Sequence, residues 1–120
     1  MDATYDTLDD VSALAWVQDE LRKSLDAAHK ALRRTLKDTE STYDSDLDDT
    51  DPAQLRIARQ HLHQGVGVLE LVGLPAGAAL LRGSEAVVQR YISKPHKLET
   101  PTVDAIERAS FALLDFLARR

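Results

Sequence analysis

Two histidines two residues apart, His61 and His63 in RQHLHQGVGVLELVGL (residues 59–74), are the side chains of this sequence best suited to chemistry. An imidazole can ligate a metal, shuttle a proton or attack as a nucleophile through a neutral ring nitrogen. The stretch reads as a helix, with Leu55, Ala58, Leu62, Val66 and Leu69 recurring at spacings of three and four. At about 100° per residue the two imidazoles flank Leu62 and point roughly 200° apart. They cannot hold one ion together, because histidine ligands on a helix need i, i+4 spacing. No metal or other cofactor is expected.

The two flanks differ in chemistry. His61 lies beside Ile57, Gly65, Val68 and Leu71, an apolar margin available to a neighbouring helix or a protein partner. His63 lies among Arg56, Arg59, Gln60, Gly67 and Glu70, a polar and partly basic face. Glycine inside a helix costs about 1 kcal/mol relative to alanine. Gly65 and Gly67 therefore each need a reason, either tight helix packing or close approach of another protein beside His63.

The elements that must position these histidines follow from periodicity and punctuation. A first helix over about 10–37 carries Leu14, Val17, Leu21, Leu25, Ala28, Leu32 and Leu36 on one stripe, with Asp9 and Asp10 suited to its N-terminus. The second spans about 52–72, with Asp51 as N-cap, Pro52 at the first helical position, Gln54 in the capping-box place and Gly73 as a left-handed C-cap. The third covers about 75–94 and stops at Pro95. The fourth, about 101–119, bears Val103, Ile106, Ser110, Leu113 and Leu117 on one face, and Phe111 and Leu114 widen its apolar arc. One apolar stripe per helix and a very short second connection predict an all-α, antiparallel up-down-up-down four-helix bundle, a single domain over 1–120. FLARR at the end carries no C-cap signal, which reads as a fragment of a longer protein.

Composition excludes several classes. The chain of 120 residues has no cysteine, hence neither disulfides nor thiolate chemistry. Neither a signal peptide nor a membrane-spanning run is evident, so a cytoplasmic location without membrane insertion is expected. The formal charge of −5 is local: DTESTYDSDLDDTD (residues 38–51) holds seven acids and no base, and the remainder carries 13 acids against 15 bases. That stretch reads as an acidic loop kept open by self-repulsion. Its spacing lacks the glycine and closing glutamate of a calcium loop. Nucleic acid is not an expected partner, since no basic stripe with interleaved aromatics is present. His29 is read as solvated among Lys30, Arg33 and Arg34, Trp16 as core, and His96 as a loop residue poorly placed to be an acceptor.

At this point the residues carry a resemblance. His63, Gly67 and a helix-closing Gly73 ten residues after the histidine are similar to the motif of histidine phosphotransfer (Hpt) domains, where an exposed histidine on the second helix of a four-helix bundle accepts a phosphoryl group. Anchoring on Gly65 instead makes His61 the acceptor, but breaks the distance to Gly73. More narrowly, ALAWVQDELRKSLDAAHKAL, the acidic loop and LHQGVGVLELVGLPAGAALL resemble the N-terminal Hpt-like domain of ChpA/PilL-type hybrid chemotaxis kinases of type IV pilus systems and related FimL-type scaffolds. The likeness covers about Val11 to Arg119. It implies a two-component module in the control of twitching motility, with a receiver domain, a kinase module or a pilus-assembly protein as partner. Val66 stands where that family has lysine, so Arg59 and Arg56 are the cations left to serve His63, and a degenerate, interaction-only scaffold stands beside an active phosphorelay. No phosphate-binding glycine loop is present, so no ATP site or autonomous catalysis is expected in this fragment; the parent protein would be the histidine kinase.

Overall fold

The computed structural model describes residues 3–40 and 51–119, with side chains from Ser12 onward. These residues form four α-helices and no strand: α1 (Ala3–Glu40), α2 (Ala53–Leu71), α3 (Pro75–Ile92) and α4 (Thr100–Ala118), with a 3₁₀ turn at Pro95–Lys97 before α4. The chain is an all-helical bundle. No described helix is long and apolar enough to cross a membrane.

The stripes read from the sequence are the core. Val17, Leu21, Leu25, Ala28, Leu32 and Leu36 of α1 are buried together with Leu55, Ala58, Leu62, Val66 and Leu69 of α2. Ala78, Leu81 and Val88 of α3 and Val103, Ile106, Leu113 and Leu117 of α4 complete the cluster, with Leu14 packed against its edge. Ser110 is fully buried on the apolar face of α4 and is satisfied locally, its hydroxyl donating to the Ile106 carbonyl at 2.9 Å. Burying it that way avoids the penalty of an unpaired polar atom.

Contacts between helices set the register. Along α1 and α4, Arg33 meets Asp104 and Glu107, His29 meets Phe111, and Gln18 donates to the Leu117 carbonyl at 2.7 Å. Along α2 and α3, His63 meets Glu85 and Glu70 meets Arg82. Arg33 ties α1 to α4 through two carboxylates. Its guanidinium reaches one Glu107 oxygen at 2.5 Å and the other at 3.0 Å, and Asp104 at 2.6 Å. The Glu107 and Asp104 carboxylates hold it charged well beyond its ordinary range.

Punctuation decided the α2–α3 turn. Gly73 takes φ +75°, its N–H donates to the Glu70 carbonyl at 3.1 Å, and the Leu74 N–H donates to the Leu69 carbonyl at 2.9 Å. That pair of bonds is the Schellman arrangement, which satisfies end carbonyls and turns the chain directly into α3 at Pro75. At the other end of α2 the expected cap shifts by one residue: Pro52 holds the N-cap position and Ala53 is the first helical residue, while Asp51 Oδ1 accepts the Ala53 N–H at 2.9 Å from just outside the helix.

Three expectations are corrected. The first helix starts well before residue 10, so Asp9 and Asp10 lie inside α1; no glycine or proline interrupts residues 3–40 and helix propagation continues through them. For the same reason Asp38 and Glu40 belong to α1 rather than to the acidic loop, whose residues 41–50 lie outside the described residues. Trp16 is 48% exposed rather than core, because it projects from the rim of the α1 stripe near the end of the bundle.

Candidate functional site

His63 stands on the solvent face of α2, its side chain 72% exposed. Its Nδ1 lies 2.8 Å from Oε1 of Glu85 on α3, twenty-two residues away in sequence. A carboxylate only accepts hydrogen bonds, so Nδ1 carries the hydrogen and, in the neutral ring, Nε2 presents the lone pair. Glu85 is itself mostly covered, with 19% of its side chain exposed, which limits the directions it can take. The pair thus fixes both the tautomer and the orientation of an exposed imidazole.

The two glycines separate into two roles. A Cβ added to Gly65 would sit 2.8 Å from Leu81 Cδ1 and 3.1 Å from Leu21 Cδ1, so this glycine lets α1, α2 and α3 close on one another. A Cβ on Gly67 would meet nothing within 4 Å. Gly67 leaves open space one turn beyond His63.

The remaining residues singled out in the sequence fall into place around this pair. Arg56, Arg59 and Gln60 are exposed on α2, and the hydrogen bond of His63 goes to Glu85 rather than to either arginine. His61 is half-buried and makes a local contact, Nδ1 to Oε1 of Gln64 at 3.1 Å. On its flank Ile57 and Leu71 are exposed and Val68 is half-buried, so that margin is an apolar strip that no helix covers among the described residues. Val66 is in the core at 2% exposure. No group of three or more potential metal ligands occurs among the described residues.

Glu85 was missed from the sequence, although a signal for it exists. It is the only acid of α3 and adjoins the buried positions Leu81, Ser84 and Val88. A tight turn at Leu74 folds α3 back on α2, and position 85 lies as far beyond Leu74 as His63 lies before it.

His29 is buried rather than solvated. It is 8% exposed, packed edge-on against the Phe111 ring with centroids 5.5 Å apart, and its Nε2 is buried without a hydrogen-bond partner. Burial lowers its pKa below the ordinary 6.5, against a smaller opposing pull from Glu107. The solvated reading failed because Phe111 closes over the ring, leaving the neighbouring Lys30, Arg33 and Arg34 in solvent while the imidazole is covered. His96 is half-buried in the 3₁₀ turn.

The chain matches no protein-family model, no curated protein and no solved structure.

Proposed function

We propose that this chain is an Hpt-type signalling module, an antiparallel up-down-up-down four-helix bundle in which Nε2 of His63 takes up a phosphoryl group and passes it on. The observation that carries this reading is an exposed imidazole whose Nδ1–H is held by a mostly covered carboxylate on the next helix. In the uptake step the Nε2 lone pair attacks phosphorus, the N–P bond forms, and the P–O bond to the donor's leaving group breaks with its electron pair going to that oxygen. The ring gains positive charge, which the Glu85 carboxylate stabilises at Nδ1. In the onward step an aspartate oxygen of a receiver attacks phosphorus, the P–N bond breaks, and the neutral ring is restored. Arg59 and Arg56 occupy the same exposed side of α2 and offer charge to the phosphoryl oxygens. The donor would be a separate kinase module, and the setting a cytoplasmic chemotaxis-type system controlling type IV pili, as the sequence resemblance implies.

A second reading, an interaction-only module of the same systems, is favoured by one observation. Val66, at the position where a cation would serve the phosphoryl group, is buried and apolar. In that case the His63 face or the Ile57, Val68, Leu71 strip binds a partner without chemistry.

The deciding experiment is transfer from the kinase catalytic module and labelled ATP onto the whole chain. Acid-labile label present in the wild type and His61→Gln, and lost in His63→Gln, supports phosphotransfer through His63. Label lost only in His61→Gln moves the acceptor to His61. Absence of label, with the fold intact and the kinase active on its other targets, leaves the interaction-only module.

A further inference from the structure

The seam between α1 and α4, away from the α2–α3 seam that holds His63, contains a cleft of about 600 Å³. That size is typical of ligand-binding clefts, roughly 300–1,000 Å³. Leu25, Phe111 and Leu114 give it an apolar floor, and Phe111 is 58% exposed. Its rim is strongly biased in charge. Of the seven charged residues lining it, five are basic and two acidic. Both acids are engaged, Asp26 with Lys30 at 3.1 Å and Glu107 with Arg33. Arg22, Arg34 and Lys37 form no ion pair with any described residue. Beneath Phe111 lies the unpartnered Nε2 of His29.

We propose that this seam is a docking groove for an acidic, amphipathic helical segment of a partner protein. Shape and charge argue for that occupant together. Arg22, Arg34 and Lys37, without an ion pair among the described residues, run along one helix over about 22 Å at 1.5 Å per residue, which is the length of four helical turns and far beyond the span of a small anion. A helix laying leucine-like side chains on Phe111 and Leu114 would cover exposed apolar surface while carboxylates on its flanks meet Arg22, Arg34 and Lys37. A single-stranded nucleic acid would use the cations but find only one aromatic ring to stack on and aliphatic side chains elsewhere in the floor. A partner side chain that shifts the Phe111 ring would also give the buried Nε2 of His29 a partner, relieving an unmade hydrogen bond. The groove lies on a different seam from His63, so it recruits a partner without occupying the phosphoacceptor face.

The test is titration of the ¹⁵N-labelled chain with a synthetic helix of about fourteen residues carrying leucines at i, i+3 and i+4 and glutamates on both flanks. Parallel arms use the same peptide with lysine for glutamate, and a single-stranded DNA oligomer. Expected are shifts centred on Leu25, His29 and Phe111 and about tenfold weaker binding in the doubly reversed Arg34→Glu, Lys37→Glu chain. His63→Gln should bind as the wild type does, so failure here and failure of phosphotransfer are told apart. Arg22→Glu, on another exposed turn, repeats the charge reversal if the double variant misfolds. Equal binding of the lysine peptide, tighter binding of DNA than of the acidic peptide, shifts confined to another seam, or no binding would each overturn the groove.

Discussion

His63 and Glu85 sit on successive helices with Nδ1 and Oε1 2.8 Å apart, and the imidazole is mostly in solvent while the carboxylate is mostly covered. This asymmetry makes the carboxylate the fixed member and the ring the presented one. Removing the carboxylate should therefore change which nitrogen of His63 bears the hydrogen before it changes anything about the fold. In Glu85→Ala, long-range ¹H–¹⁵N correlation should show the Nε2–H tautomer gaining population, with phosphoryl uptake falling about tenfold, the equivalent of a charged hydrogen bond worth about 1.5 kcal/mol. Glu85→Gln keeps an acceptor and should keep the tautomer while losing part of the rate. A ring that stays Nδ1–H in Glu85→Ala would remove Glu85 from the site.

Gly65 and Gly67, two residues apart, should respond to alanine with opposite signs. At Gly65 the new methyl meets the terminal methyls of Leu81 and Leu21, both fully buried, so either can yield only by displacing other core atoms. Overpacking of about 1–3 kcal/mol should outweigh a propensity gain of about 1 kcal/mol. At Gly67 only the gain remains, so urea midpoints should rise for Gly67→Ala and fall for Gly65→Ala. A shared sign would contradict the packing described.

Gly73→Ala tests the turn that aligns His63 with Glu85. Its φ of +75° costs an alanine about 1–2 kcal/mol, with no neighbouring atom to blame. Lowered stability in denaturant melts is the expected outcome, together with broadening or shift of the His63 ring resonances as the α2–α3 register loosens.

His29 sets a pH dependence. Burial lowers its folded pKa below the unfolded 6.5, so between those two values the unfolded chain binds the extra proton. Stability from this group is therefore complete above about pH 6.5 and declines as pH falls below it. His29→Leu removes both the titration and the unpartnered Nε2. Its stability relative to wild type should rise progressively as pH is lowered from 7.5 towards 5, and a constant difference across that range would show that His29 is solvated.

Arg33→Ala should loosen the α1–α4 seam by about 1 kcal/mol, since the pair with Asp104 and Glu107 is partly exposed. High salt should shrink the difference between wild type and variant in thermal melts, because screening already weakens the native pair.

Periodicity and punctuation by themselves determined four apolar stripes, the left-handed cap at Gly73, and the opposite placement of His61 and His63 about Leu62. Those are properties of one helix about its own axis, fixed by 3.6 residues per turn and by which residues tolerate a positive φ. What stands at a given angle from that axis is decided by neighbouring helices. Only the packed structure could therefore bring Glu85 to His63, assign Gly65 to close packing and Gly67 to open surface, and leave Trp16 on the rim. The same packing placed Phe111 over His29, a position that one helix's charge pattern alone reads as solvated, because the group that removes it from water comes from a helix more than seventy residues later in the chain.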